Sequence, residues 1–107
     1  MNNAKSSLKQ SPSKLDELRQ EIDAIDDSIS ALFELRMSIA KEIARQKIEL
    51  ELSTYDPARE AEIIARLTEE QSLEQAARTK ALYERVFELS RQVQDMDALL
   101  QTPQIPR

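Results

Sequence analysis

The sequence contains no cysteine and no histidine. Without cysteine the chain has neither disulfides nor thiol chemistry. Without histidine it lacks the usual metal ligand and the usual general base near neutral pH. Any active site must therefore be built from arginine, lysine, carboxylates, amides and hydroxyls.

Glycine is also absent, and aromatic residues make up only 4% of the chain. The dominant residues are Leu, Ile, Ala, Glu, Gln, Arg and Lys, which favour helices, and no β-branched run suggests a strand. Because 33% of the residues are charged, there is too little apolar surface for a thick core. We therefore predict an all-α fold whose long helices pair along narrow seams.

The net charge of −5 argues against nucleic-acid binding. No apolar run approaches the roughly 20 residues that span a bilayer. Residues 1–13 are polar and lack the apolar stretch of a secretory signal. We expect a soluble cytoplasmic protein with one domain over residues 14–101, and disordered tails at 1–13 and 102–107.

Apolar residues recur in alternating steps of three and four from residue 11 to about Ser53, which predicts a long first helix with a heptad seam. The seam comprises Leu15, Leu18, Ile22, Ile25, Ile29, Leu32, Ile39 and Ile43. Ser13 is the expected N-cap, and the ~38 residues after it would span about 57 Å. Two shorter helices of the same chain cannot cover a stripe of that length, so we expect a second copy to cover it.

Two later signals predict two further helices. Asp56-Pro57 combines a favoured N-cap with a favoured first helical residue. A capping box at Ser72-x-x-Gln75 opens a third helix, which should run to about Gln101. The apolar edge of the second helix comprises Ile63, Ile64 and Leu67. The third helix should stop at Pro103 and Pro106, with a buried face near Ala76, Tyr83, Val86, Phe87, Val93 and Leu100.

Polar residues interrupt these apolar faces. Arg36 occupies a seam position, where a guanidinium is costly unless an anion meets it. Lys47 falls on the same face about 16 Å further along, and Arg19 borders the seam at its other end. Ser90 and Gln94 stand one turn apart on the third helix, where apolar residues are expected. Such cations often snorkel to solvent or pair with a glutamate, but the combination favours a polar pocket within a helical bundle.

In this order and spacing, the residues resemble the all-helical, type II chorismate mutases. The pattern runs Leu18-Arg19-x-x-Ile22-Asp23-x-x-Asp26, Leu35-Arg36, Lys47, Asp56-x-x-Arg59-Glu60 and Ser90-x-x-x-Gln94. The resemblance covers roughly residues 15 to 100 and implies an intertwined homodimer of three-helix protomers. It also implies rearrangement of chorismate to prephenate in phenylalanine and tyrosine biosynthesis, with no metal and no cofactor. The chain departs from the family at Ala44 and at Glu70-Gln71-Ser72, where glycine is common.

The resemblance implies a role for each basic residue. Arg36 would bind one carboxylate of the dianionic substrate, and Arg19 of the partner protomer would bind the other. Arg19 and Arg36 of one helix lie ~25 Å apart, too far to hold one small ligand, whereas an antiparallel partner helix could bring them together. Lys47 and Gln94 would donate hydrogen bonds to the ether oxygen of the substrate.

The start of the second helix would complete the pocket. Taken alone, Asp56 is an N-cap, and Arg59 and Glu60 are ordinary first-turn charges, with glutamate favoured by the helix dipole. The resemblance implies that Glu60 contacts the ring hydroxyl. Asp56 and Arg59 would line the same end, with Arg59 holding the loop and hydroxyl side. Ser90 would contact a substrate carboxylate.

Three other functions compete with this interpretation. Isochorismate pyruvate lyase resembles the mutases in fold and cationic pocket, but the Arg59-Glu60 pair favours the mutase. A second alternative is a non-catalytic helical module, in which the same dimer only binds a partner enzyme, but the full set of pocket residues argues against it. Small mutases of this family can also be regulatory domains attached to, or bound by, the first enzyme of the aromatic pathway, so the resemblance makes that enzyme a candidate partner. A plain coiled-coil adaptor would not explain why four polar residues interrupt the seams: Arg36, Lys47, Ser90 and Gln94.

Overall fold

The computed structural model describes residues 13–101, and within this range the chain is all-α. The three helices are α1 (Lys14–Glu49), α2 (Pro57–Thr68) and α3 (Leu73–Gln101). The described residues contain no strand. The predicted fold class is therefore confirmed, as is the predicted order of one long helix, one short helix and one of intermediate length.

Side-chain caps start α1 and α2 where the sequence predicts. The backbone N–H of Asp16 donates to Ser13 Oγ at 3.1 Å, which satisfies one of the open donors of the first turn. The N–H of Arg59 donates to Asp56 Oδ1 at the same distance, and Pro57 occupies the first helical position. Both predicted N-caps are confirmed.

The predicted capping box opens α3. The N–H of Gln75 donates to Ser72 Oγ, and the N–H of Ser72 donates to Gln75 Oε1, both at 3.1 Å. The Thr79 hydroxyl donates to Gln71 Oε1 at 2.8 Å and ties the α2–α3 connection to the second turn of α3. This short connection is therefore held by side-chain hydrogen bonds, without glycine.

The predicted end of α1 near Ser53 is wrong, because the helix ends at Glu49. Glu51 adopts a left-handed conformation with φ 58°. A residue in that conformation cannot continue a right-handed helix, and glycine usually occupies this position. The prediction failed because the glutamate at this position gives no signal for a helix end.

Two backbone hydrogen bonds close the end of α1. The N–H of Leu52 donates to the carbonyl of Lys47 at 2.8 Å, and the N–H of Glu51 donates to the carbonyl of Ile48 at 3.1 Å. This pair of bonds is the Schellman arrangement, which satisfies carbonyls that the last helical turn leaves open. Lys47 is thereby held in the final turn of α1.

The chain divides after Arg36 into two compact units. In the first unit, the described part of α1 leaves the predicted seam exposed. Six large apolar side chains there are 46% to 64% exposed: Leu15, Leu18, Ile22, Ile25, Ile29 and Leu32. The seam positions Ile39 and Ile43 of the second unit are also exposed, at 51% and 45%.

The second unit holds the buried side chains, with α2 packed against α3. Its apolar core comprises Met37, Ala40, Ala44, Val86 and Phe87. The ring of Tyr83 meets that of Phe87 edge-on, with centroids 5.7 Å apart. Ala44 is only 2% exposed, so the alanine at the position where the resemblance leads us to expect glycine is a core residue.

One residue of the predicted buried face of α3 is misplaced. Val86 and Phe87 are buried, and Ala76, Tyr83 and Val93 are half-buried. Leu100 is 73% exposed because it borders an open groove and does not enter a closed core. That groove has a volume of about 330 Å³ and is lined by Lys41, Gln92, Val93, Met96, Asp97 and Leu100.

Some predictions fall on residues 1–12 and 102–107, outside the described residues. They are the two disordered tails and the role of Pro103 and Pro106 as helix stops. Within the described range, no helix combines the length and apolar character needed to cross a bilayer.

Candidate active site

A buried chain of polar side chains joins the end of α1 to the middle of α3. Lys47 Nζ donates to Gln94 Oε1 at 3.3 Å and to the carbonyl of Thr54 at 2.7 Å. Gln94 Nε2 in turn donates to Ser90 Oγ at 3.1 Å. Ser90 and Gln94 are only 6% and 7% exposed. Three of the predicted site residues therefore meet in one cluster.

This cluster keeps donor capacity after its internal hydrogen bonds are made. A lysine ammonium carries three hydrogens and a glutamine amide carries two. Lys47 uses two in the bonds to Gln94 and Thr54, and Gln94 uses one in the bond to Ser90. One N–H on each of Lys47 and Gln94 is left for a ligand. Every buried side-chain nitrogen or oxygen of residues 13–101 has at least one hydrogen-bond partner, so these spare hydrogens belong to nitrogens that are already hydrogen-bonded once or twice.

A second polar cluster joins the start of α2 to α3. Glu60 Oε2 accepts a hydrogen bond from Arg91 Nη1, and both side chains are mostly buried, at 23% and 30% exposed. The Arg91 guanidinium lies over the ring of Tyr55, 5.0 Å from its centroid, in a cation–π contact. The hydrogen bond to Glu60 raises the pKa of Arg91, although burial opposes the rise. Arg91 therefore stays charged at this site.

The α1–α2 connection links the two clusters. Thr54 gives its carbonyl to Lys47, and Tyr55, the next residue, lies under Arg91. Three helix ends or faces therefore meet around this loop: the last turn of α1, the first turn of α2 and the middle of α3. The arrangement presents donors from Lys47 and Gln94 and an acceptor from Glu60.

The other two predicted residues of α2 point elsewhere. Asp56 is exposed and acts as the N-cap of α2. Arg59 Nη1 contacts Glu62 Oε1 at 3.1 Å, and the side chains of this pair are 58% and 68% exposed. The structure therefore does not bring the Arg59 guanidinium into contact with either cluster. Arg59 makes the first-turn surface pair that its sequence position alone suggests.

The remaining predicted cations, Arg19 and Arg36, lie on α1 in the first unit. Arg19 is exposed and Arg36 is half-buried. Because α1 is continuous through both positions, helix geometry places their Cα atoms ~25 Å apart. Arg19 and Arg36 of one chain therefore do not meet.

Sequence reasoning missed a buried carboxylate, paired with an arginine, beside the first cluster. Asp97 is 6% exposed and accepts from Arg45 Nε at 3.1 Å and from Arg45 Nη2 at 3.3 Å. The hydrogen bonds to Asp97 raise the pKa of Arg45. Two-point contacts of this kind fix orientation as well as distance. The pair connects α1 to α3 within one turn of both Lys47 and Gln94.

Sequence reasoning also missed Arg91. A charged residue beside Ser90 looks like a solvated neighbour of the site until the partner of its guanidinium is known. The only sequence signal is its position, since at 100° per residue Gln94 projects between Ser90 and Arg91 on α3.

Among the described residues, no group of three or more His, Cys, Asp or Glu side chains could hold a metal ion.

The fold and the two clusters define a helical domain in which cationic and hydrogen-bonding side chains from three helices lie around one loop. The comparison with protein families makes this specific. The model of the family "chorismate mutase type II" matches residues 18–95, which is most of the chain. The protein belongs to the type II chorismate mutase family. No curated protein and no solved structure gave a match.

Proposed function

We propose that the protein is a chorismate mutase that converts chorismate to prephenate in phenylalanine and tyrosine biosynthesis. Membership of the type II family supports the activity at a coarse level. The observation that carries the proposal is the contact between Lys47, Gln94 and Ser90, which lie far apart in the sequence and share one buried cluster. These are the residues to which the family pattern assigns contacts with the substrate.

The available donors suit the chemistry of this rearrangement. Within one molecule, an ether C–O bond breaks while a C–C bond forms, so no proton needs to be moved. Negative charge builds on the ether oxygen as its bond breaks. The remaining N–H groups of Lys47 and Gln94 would stabilise that charge, and they would do so strongly because they are fixed in a partly dry site.

Binding the reactive conformer supplies the rest of the rate acceleration. The dianionic substrate must be held in a compact, chair-like shape. Arg36 would bind one carboxylate, and Arg19 of a second protomer would bind the other. Ser90 would contact a substrate carboxylate, and Glu60 would accept from the ring hydroxyl. Asp56 and Arg59 would line the same end of the pocket. Asp56 is also the N-cap of α2, and Arg59 would have to leave Glu62 to reach the substrate.

The homodimer is part of this proposal. The exposed seam of the first unit is a continuous apolar stripe at heptad spacing, which is the pattern by which helices pair. Exposed apolar patches of this extent are typical of interaction surfaces. A two-fold partner would cover the seam and would supply Arg19 to each site.

The first experiment measures the loss of chorismate with purified protein and identifies prephenate as phenylpyruvate after acid treatment. We expect saturable conversion that is lost in Arg36→Ala. Arg78→Ala is the matched control, because Arg78 makes only an exposed pair with Glu74 on α3. Its activity should equal that of the wild type.

The other outcomes would contradict either the function or the pocket. Release of pyruvate from isochorismate, without conversion of chorismate, would show a lyase of the same fold. A folded dimer that converts neither substrate would be a non-catalytic helical module. Conversion that survives in Arg36→Ala would keep the activity but contradict the assigned pocket.

A further inference from the structure

We propose that Arg91 is a positioning residue, which holds the Glu60 carboxylate where it can accept a hydrogen bond from the ring hydroxyl of the substrate. This inference rests on the proposed mutase function. It adds a residue that the family pattern in this sequence does not contain. The observation behind it is the Arg91–Glu60 hydrogen bond between α3 and α2.

Arg91 is on the face of α3 that carries the site. At 100° per residue, Ser90, Gln94 and Arg91 project at about 0°, 40° and 100°, so they occupy one arc of the helix. Ser90 and Gln94 turn into the first cluster, and Arg91 reaches the first turn of α2. The face of α3 that orients Gln94 therefore also orients Glu60.

Arg91 is itself held in place. Its guanidinium lies over the Tyr55 ring, 5.0 Å from the centroid. A planar guanidinium held over a ring loses rotational freedom, and it can then direct a hydrogen bond along a fixed line. Tyr55 follows Thr54, whose carbonyl binds Lys47. The α1–α2 connection therefore holds Lys47 through the Thr54 carbonyl and Arg91 through the Tyr55 ring.

Glu60 needs such a partner to act on a ligand. A glutamate side chain is flexible, and an unheld carboxylate at the start of a helix turns toward water. The neighbouring Arg59 does not restrain it, because Arg59 pairs with Glu62 on the outer face. A carboxylate has acceptor sites on two oxygens, so a bond from Arg91 to Oε2 leaves Oε1 as an acceptor for a hydroxyl.

The test is a double-mutant cycle on kcat/KM for chorismate, with wild type, Arg91→Met, Glu60→Gln and the double variant. We expect Arg91→Met to lower kcat/KM by about tenfold in the wild type, and by less than about twofold when Glu60→Gln is already present, because Arg91 acts through Glu60. Arg91→Lys should recover part of the loss, since it keeps the charge without the planar fork. Arg85→Met is the matched control, because Arg85 on α3 makes only an exposed pair with Glu88, and its activity should be unchanged.

Two further measurements separate positioning from a structural role. Tyr55→Leu removes the ring under an intact Arg91–Glu60 pair. It should also lower kcat/KM, by a smaller factor than Arg91→Met does. For a chorismate analogue with hydrogen in place of the ring hydroxyl, wild type and Arg91→Met should have the same kcat/KM. Thermal unfolding of each variant shows whether it is folded at the assay temperature.

Several results would overturn the proposal. Equal losses from Arg91→Met with and without the Glu60→Gln substitution would mean that Arg91 binds the substrate directly. An unchanged kcat/KM in Arg91→Met would mean that the pair is only an ionic surface contact. Equal losses with chorismate and with the hydroxyl-free analogue would mean that Arg91 only stabilises the fold. These failures leave wild-type turnover intact, whereas failure of the proposed function itself would appear as a wild type that does not convert chorismate.

Discussion

The first unit, over residues 13–36, exposes large apolar side chains, whereas the second unit buries polar ones. Seven leucines and isoleucines of the first unit, the six of the seam together with Leu35, are about half exposed or more. In the second unit, Ser90, Gln94 and Asp97 are each less than one-tenth exposed. Each unit therefore departs from the usual rule of apolar inside and polar outside, and the departures run in opposite directions.

The physical costs of the two departures differ, and so do their uses. Exposed apolar surface is stabilised when a partner covers it, so the first unit has the character of an interface. Buried polar groups are tolerated only when they are hydrogen-bonded, and each of the three has a partner. Polar groups that are buried, paired and still able to donate are what a binding site requires. Under the proposed function, the first unit would mediate assembly and the second unit would hold the donors to the ether oxygen.

The largest expected effect comes from removing the key donor of the second unit. Lys47→Ala should lower kcat by ~10²–10³, because one fixed donor to the developing oxyanion is lost. The helical circular dichroism spectrum should stay that of the wild type. Lys80→Ala, at an exposed position of α3, is the control and should keep full activity. Near-normal turnover in folded Lys47→Ala would remove Lys47 from the site.

The next prediction asks whether the first unit serves the site of a partner. Arg19→Ala and Arg36→Ala should each be nearly inactive, but a refolded one-to-one mixture should regain about a quarter of wild-type activity. The reason is that about half of the dimers would be mixed, and each mixed dimer would have one intact site of two. Chorismate turnover of the mixture, before and after refolding, measures this.

The control for this mixing experiment is Arg36→Ala refolded with Lys47→Ala. Both residues are assigned to the same protomer's site, so neither site of the mixed dimer would be complete and activity should stay low. Recovery in this control, or none with Arg19→Ala, would contradict a site shared between protomers.

A smaller effect is expected when a buried charge of the second unit loses its partner. Arg45→Met should lower the Tm by several degrees, because the Asp97 carboxylate stays buried without its two-point contact. Glu42→Gln is the control on the same guanidinium, since the Arg45–Glu42 pair is exposed at 44% and 69%. It should leave the Tm nearly unchanged. Equal shifts in the two variants would show that burial of Asp97 does not matter.

The smallest effect concerns the turn that ends α1. Glu51→Gly should raise the free energy of unfolding by about 0.5–1 kcal/mol, because glycine adopts the left-handed conformation without steric cost. Urea denaturation measures the change. Glu49→Gly, at the last helical residue of α1, should lower the stability instead, since glycine disfavours helix. A destabilised Glu51→Gly variant would contradict the left-handed turn.

Local features of the fold could be predicted well. The caps at Ser13, Asp56 and Ser72 each depend on a side chain and a backbone N–H within three residues, so the sequence contains both partners. The end of α1 could not be predicted, because Glu51 takes a conformation that its residue type disfavours. Leu100 was misplaced because hydrophobicity alone does not tell which end of a helical stripe is covered.

The candidate site could be predicted only in part. Lys47, Ser90 and Gln94 interrupt apolar faces, and that interruption is visible in the sequence. Arg91 and Arg45 have no such signal, because each is one charge among many in a chain in which a third of the residues are charged. Their importance depends on a carboxylate that lies more than 30 positions away in the chain.

The sequence by itself determined the helices, their starts and the apolar seam, because caps and the 3.6-residue period act between neighbours. Only the tertiary structure decided which polar side chains meet. The Lys47–Gln94 contact joins residues 47 positions apart, and the Arg91–Glu60 contact joins residues 31 apart. Such contacts depend on how helices pack and on where a loop holds its carbonyls and rings, and neither is set by the residues next to them in the chain.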